Sequence, residues 1–304
     1  MKKEYLTLNS KCDNLPLSIA IFEPEEEVKG IVQFSHGMAE HKERYFPFME
    51  YLASNGYASI INDHRGHGGS VKSEEDYGYL YDETSDFIVE DAYQMTLIAK
   101  EKFPGKPVCL FGHSMGSLVV RKYIKKYDEE IDKLIVCGSP SKNPLVGVAL
   151  LLVALGKTFK GDKHRSKTIN NLSVGAYSKK IKDSKSSSSW LSANEENIET
   201  YDADEMCGFV FTINGFKNLF KLMKQVYQHG GWQVRNKELP IWFIAGAEDP
   251  VIVDKKAWLD SQQLLKDEGY TNVTGKLYEN MRHEVLNESS SDEVYSDVLA
   301  FLEG

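Results

Sequence analysis

Lys106-Pro-Val-Cys-Leu-Phe-Gly-His-Ser-Met-Gly-Ser-Leu-Val-Val-Arg121 decides the fold. Val108 to Phe111 has the length and composition of a fully buried strand. It runs into Gly112-His113-Ser114-Met115-Gly116, a G-x-S-x-G pattern, and a helical stretch follows with Leu118, Val119 and Tyr123 near one face. Strand, glycine-flanked serine and helix together describe a nucleophile elbow. Ser114 must occupy a sharp, strained turn for its hydroxyl to stand clear at the end of the sheet. A side chain two residues before or after would collide with that turn, which accounts for Gly112 and Gly116. The N–H of Met115 then opens the helix and is free to face a reacting carbonyl oxygen. A bare G-x-S-x-G arises by chance in roughly one chain in ten of this length, so the rest of the chain has to carry the case.

Working outward, the alternating residues at 4–10 and 15–23 predict two strands, and Gly30 to Ser35 a third, followed by His36-Gly37-Met38-Ala39-Glu40-His41. A helix over 43–55 ends at Gly56, and a strand over 57–62 leads into the glycine-rich turn Asp63 to Ser70. A long helix over 85–103 stops before Pro104. After the elbow helix, 132–139 reads as another buried strand. The alternation lapses between Pro140 and about 236, then resumes with a strand at 239–246, a helix at 255–268, a strand at 273–278 and a helix at 292–302. Strands alternating with helices predict an α/β fold: a mostly parallel, eight-stranded sheet covered by helices on both faces. The expected division is a core of 1–140 and 236–304, with 141–235 as a helical cap inserted over one rim. Ligands bind such sheets at the carboxyl ends of the strands. His36-Gly37-Met38, Asp63 to Ser70 and Ser114 all follow strands, so they share that rim.

A serine hydroxyl is a weak nucleophile and needs a base, which in turn needs an orienting carboxylate. In this arrangement the order along the chain is Ser, Asp or Glu, then His, each after a strand. Of eight histidines only His164, His229 and His283 lie beyond Ser114, and only His283 follows the last strand. His283 is therefore expected as general base, and Asp249 as its carboxylate, with the adjacent Glu248 as substitute. The backbone N–H of Met38, in the loop after the third strand, is expected to pair with that of Met115 as oxyanion donors.

Three other clusters invite a function. His229-Gly230-Gly231 precedes a core strand instead of following one and reads as a cap-closing loop. The run Asp63-His64-Arg65-Gly66-His67-Gly68 holds metal-capable groups, but its spacing matches no familiar zinc set and Arg65 adds a positive charge, so it reads as a polar structural turn. The Lys/Ser-rich segment 157–189 suggests either an anion or lipid contact or, more simply, a solvated cap surface.

Composition sets the bounds. The chain has 304 residues, 41% hydrophobic, with a net charge of −9 that weighs against nucleic-acid binding. No apolar run reaches the eighteen residues of a membrane span. The N-terminus carries no apolar signal segment. The four cysteines lack metal spacing, and Cys109 and Cys137 read as buried thiols. A cytoplasmic protein without metal or organic cofactor is expected.

The motifs Gly112-His113-Ser114-Met115-Gly116, His36-Gly37-Met38-Ala39-Glu40-His41, Asp63-x-Arg65-Gly66-His67-Gly68-x-Ser70 and Gly246-x-x-Asp249-Pro250-Val251, together with His283, resemble the α/β-hydrolase superfamily. Within it the chain is similar to the monoacylglycerol lipase and lysophospholipase group, often labelled serine aminopeptidase-like. The likeness spans nearly the whole chain and is weakest at about 143–235. It implies Ser114, Asp249 and His283 as the triad and Met38 and Met115 as oxyanion donors, the positions already reached from the residues. Family peptidases acting on N-terminal proline carry a G-G-x-P-G-like segment where this chain has His36-Gly37-Met38-Ala39, which weighs against a peptidase.

The most apolar stretch, 145–155, is too short to cross a bilayer, whose core needs about twenty residues. It is expected either to pack within the cap or to line an acyl tunnel, touching membrane in passing. The expected activity is hydrolysis of monoacyl lipid esters through an acyl-enzyme. A small-ester carboxylesterase, a thioesterase or a peptidase would use the same residues. A catalytically silent ligand-binding protein is the reading of another class.

Overall fold

The computed structural model describes residues 1–182 and 184–304. Strands β1 (Lys2–Asn9) and β2 (Pro16–Glu23) form an antiparallel pair. Next along the chain come β3 (Gly30–Ser35), α1 (Phe46–Ser54), β4 (Tyr57–Asn62), α2 (Phe87–Lys102), β5 (Val108–His113), α3 (Met115–Tyr127) and β6 (Lys133–Cys137). Five helices then interrupt the alternation: α4 (Val146–Lys160), α5 (Lys167–Leu172), α6 (Gly175–Ser178), α7 (Glu195–Ala203) and α8 (Ile213–Val226). It resumes with β7 (Ile241–Gly246), α9 (Lys255–Glu268), β8 (Val273–Tyr278) and α10 (Ser291–Glu303). The eight strands form one sheet in the order β1-β2-β4-β3-β5-β6-β7-β8. Only the pairings at the β1–β2–β4 edge are antiparallel. This is the eight-stranded, mostly parallel α/β-hydrolase sheet with an inserted helical cap, and α9 and β8 fall where the sequence puts them.

The pleat sorts the core. On β5, Val108 and Leu110 face one way with Met95 of α2, Leu118 of α3 and Leu264 of α9. Cys109 and Phe111 face the other, with Phe48 and Leu52 of α1 and Val294 and Val298 of α10. Strands buried on both faces read as unbroken apolar runs, which is why β3 to β7 were visible in the sequence. Cys109 and Cys137 are buried free thiols, as expected.

The apolar stretch is where the structure differs from expectation. Helix α4 buries only Val146 and Val153, and Gly156 lets it approach Ile213 at the start of α8. Leu145, Val148, Leu151, Leu152, Leu155 and Phe159 are exposed, Phe159 at 78%. Spaced at 3–4 residues, they form one outward stripe. The stretch is thus neither fully packed nor a wall of the central cavity, whose apolar lining comes instead from Leu219, Phe220 and Met223 of α8 and Phe209. The signal for a stripe, in place of a buried helix, lay in the lysines at 157 and 160 that end the run.

Candidate active site

Ser114 sits between β5 and α3 with φ +53° and ψ −118°, a conformation L-residues seldom hold. Its N–H is tied to the Cys137 carbonyl at 3.0 Å. The flanking glycines are required by contact: a Cβ on Gly116 would lie 1.9 Å from the Ser35 carbonyl oxygen, and one on Gly112 would lie 2.5 Å from that of Gly116. The strain is therefore held by backbone packed against backbone on both sides.

Asp249 and His283 meet after β7 and β8. Nδ1 of His283 is 2.9 Å from Oδ2 of Asp249, and both side chains are buried. Asp249 Oδ1 accepts the Val251 N–H at 2.8 Å, so the carboxylate is held at both oxygens. Glu248 is exposed and donates only its N–H inward, to the Met281 carbonyl, which settles which of the two neighbours faces the imidazole. Nε2 of His283 is buried without a hydrogen-bond partner. It belongs to the same cavity as Ser114, a space of about 540 Å³ under the cap. Among the described residues no hydrogen bond joins Nε2 to the Ser114 hydroxyl. The rings of Trp190 and His113 flank His283 at 5.0 Å and 4.6 Å.

The loop after β3 engages the N–H groups on either side of Met38 and leaves that of Met38 without an acceptor among the described residues. The Gly37 N–H goes to Glu40. The Ala39 N–H goes to Nε2 of His67 at 3.2 Å. Between them the N–H of Met38 has no acceptor among the described residues, and neither does that of Met115 at the first turn of α3; both residues line the cavity. Ala39 holds φ +54° because its carbonyl is also gripped, by the Tyr201 hydroxyl and the Gly208 N–H, both at 2.9 Å. A Cβ at Gly37 would lie 2.6 Å from Oε1 of Glu40 and 3.2 Å from the Cβ of Ser114, so a side chain there would push Glu40 from its place.

The histidine-rich turn is structural, as the sequence suggested. His36 takes the His64 N–H on Nε2 at 2.8 Å and gives Nδ1–H to the Gly37 carbonyl. His67 donates Nδ1–H to the Arg65 carbonyl. Burial, with neighbouring histidines adding to it, drives the His64 pKa down to about 3 and that of His36 well below its ordinary value. Burial alone leads for His67, whose pKa falls to about 4. All three are neutral and brace the loop. Arg65 is paired with Asp91 and Asp13, and Asp63 with Lys42. His229 is an exposed group on Glu268, away from the cavity. In the Lys/Ser-rich segment most basic side chains are exposed; Asp183 lies outside the described residues.

One set of donors that sequence reasoning missed is His41, Asp204 and Cys207, whose candidate ligand atoms lie within 4.8 Å of one another. His41 Nε2 is already committed to Asp204 at 2.7 Å, and the Arg44 guanidinium acts on Cys207 and opposes a cation there. Also missed was a buried polar network behind the site. Arg44 bridges Glu40 and Glu284 and reaches Asn197 of α7 at 3.2 Å. Its traces in the sequence were charged residues placed within or beside the motifs: Glu40, His113 and Glu284.

Comparison with known proteins agrees with this architecture. A monoacylglycerol lipase of Mycolicibacterium smegmatis is 28% identical over 284 residues, covering 93% of this chain and 91% of that protein. Phospholipase YtpA of Bacillus subtilis is 25% identical over 278 residues, covering 89% and 94%. The crystal structure of a thermostable carboxyl esterase from Bacillus coagulans superposes with a TM-score of 0.90 at 24% identity, over 100% of this chain and 99% of that one, which speaks for the fold. No helix among the described residues is long and apolar enough to cross a membrane. A glycine-locked serine elbow on an eight-stranded sheet agrees with the family model described as serine aminopeptidase, S33, which matches residues 26–290, and the chain belongs to that family of α/β-hydrolases.

Proposed function

We propose that this hydrolase is a serine-dependent carboxylic ester hydrolase acting on monoacyl lipids. Ser114 attacks the ester carbonyl, His283 takes its proton and returns it to the leaving alcohol, and Asp249 holds the imidazole tautomer. The N–H groups of Met38 and Met115 receive the oxyanion, and water then hydrolyses the acyl-enzyme. The observation that carries the reading is the unpartnered Nε2 of His283, backed by Asp249 and sharing one cavity with Ser114 and two free N–H groups. The monoacylglycerol lipase and phospholipase names of the relatives support the lipid class, and the cavity's 540 Å³ suits an acyl chain. We take 1–140 and 236–304 as the catalytic core and 141–235 as its lid. The exposed stripe on α4, with Lys157 and Lys160 at its end, supports passing contact of that lid with a lipid surface.

A fluorophosphonate probe tests the nucleophile: the folded protein labels and Ser114→Ala does not. Absence of labelling in the folded wild type would favour the silent ligand-binding reading. A graded series of p-nitrophenyl esters, with a monoacylglycerol and a lysophospholipid, tests the substrate. Each further buried CH₂ contributes about 0.8 kcal/mol, so kcat/KM rises with chain length until the cavity is full. Acetate esters turning over fastest would return the assignment to a small-ester carboxylesterase.

A further inference from the structure

His113 is the last residue of β5, between Gly112 and Ser114, and is buried. Its Nδ1 lies 3.3 Å from Oε1 of Glu40, and its Nε2 lies 3.2 Å from the backbone carbonyl oxygen of His283. A carbonyl can only accept, so Nε2 carries a hydrogen. Glu40 also accepts from the Gly37 N–H, from the Tyr45 hydroxyl at 2.9 Å and from Arg44 Nε at 3.3 Å. Three of these contacts, from the Gly37 N–H, the Tyr45 hydroxyl and His113, are to Oε1, so the oxygen that faces Nδ1 has its lone pairs taken by donors and has no place for a proton of its own. Nδ1 therefore carries a hydrogen as well, and the ring is an imidazolium. Burial opposes that charge, but the hydrogen bond and charge of Glu40, with the charge of Glu284, outweigh it and raise the His113 pKa. The rings of His113 and His283 face each other at 4.6 Å with 46° between their planes. The other titratable groups around the pair are Glu40, Arg44, Tyr45 and Glu284 on the His113 side and Asp249 on the far side of His283.

We propose that His113 is a positioning residue for the His283 base: its Nε2–H ties down the backbone of His283 while its Nδ1–H is anchored on Glu40, and a fixed positive charge stands against the face of the imidazole. This rests on His283 being the general base, as proposed above. The tie keeps the imidazole between Asp249 and the cavity. The same arrangement links the oxyanion loop, through Glu40, to the base loop, so the two halves of the site are set by one side chain.

The test uses the full-length protein with His113→Phe and His113→Gln. In His113→Phe both hydrogen bonds and the charge go. Its kcat is expected to fall about 10- to 100-fold with KM changing less than about threefold. In His113→Gln an amide N–H still reaches toward the His283 carbonyl, so most of kcat returns. Rescue by His113→Gln beside loss in His113→Phe is the signature of the hydrogen-bonded tie, which a merely space-filling role would not give. A kcat no better in His113→Gln than in His113→Phe overturns the proposal, and so does an unchanged kcat in His113→Phe. A second readout needs no activity: long-range ¹⁵N NMR of wild type at pH 8 should show both ring nitrogens of His113 protonated, and one bare nitrogen overturns it. Should wild type hydrolyse no carboxylic ester, the general-base reading falls, and the NMR result still decides whether His113 is the charged tie. If His113→Phe does not fold, the kcat of His113→Gln, expected within about tenfold of wild type, and the NMR measurement decide.

Discussion

The two halves of the inserted cap are attached to the core in different ways. The segment 189–212 is stitched by polar bonds to the loops of the candidate site. Leu191 takes the Glu284 N–H at 2.7 Å, Arg282 reaches the carbonyls of Ser189 and Ser192, and Tyr201 and Gly208 grip Ala39. Trp190 faces His283. The segment holding α4 to α6 has few buried side chains, Val146, Val153 and Ile169, and turns its apolar stripe to solvent. The fastened half holds the loop after β3 and the loop after β8 in register. The open half has little to lose by meeting a lipid or a substrate chain. One insertion is thus fastened at one end and open at the other.

The comparison can be broken most severely at the centre it protects. Asp249→Asn should lower kcat by about 10⁴, since the amide cannot hold the imidazole tautomer, whereas Glu248→Gln should stay within about twofold. Ester hydrolysis rates for the two variants check this, and an equal loss in both would return the carboxylate assignment to an open choice.

A smaller effect is expected from acid on the brace behind the oxyanion loop. His64 and His67 remain neutral when folded down to pH values of about 3 and about 4, while the unfolded chain binds protons there near pH 6.5. Between these limits the unfolded state holds more protons, so stability falls as pH falls from 6.5 and is flat above it with respect to these groups. At pH 5 each contributes a loss of about 2 kcal/mol. Thermal midpoints from pH 7.5 to 5 measure it, and a flat profile over that window would mean that the turn is not buried as described.

The smallest effect on stability should come from the open half of the cap. A triple variant, Leu151→Gln/Leu155→Gln/Phe159→Gln, removes exposed apolar surface and should change stability by no more than about 0.5 kcal/mol per site. It should nevertheless weaken flotation with phospholipid vesicles and leave turnover of a soluble short-chain ester unaltered. A large drop in melting temperature would show that the stripe is packed, and unchanged vesicle binding would remove the lipid contact.

The candidate site was legible where function demands a residue type at a fixed place in the fold. Ser114 between glycines, Asp249 after β7 and His283 after β8 could be placed at one rim because each follows a strand, and the structure brings the last two together. The structure adds why the choice falls on Asp249: its side chain is turned inward and that of Glu248 outward, a matter of backbone direction that two adjacent acids cannot reveal. The run 145–155 was read as apolar, correctly, but composition does not say which face a helix buries when its partner, α8, lies more than fifty residues away.

What the sequence determined by itself was the alternation of buried strands and helices, and with it the sheet, the rim and the chemical types gathered there, because burial on both faces and strained turns leave marks in local composition. What only the tertiary structure decided was which charges meet. Glu40, Arg44, His113 and Glu284 come from three distant stretches of the chain, and their pairing depends on strand order and loop packing, so no local pattern records it.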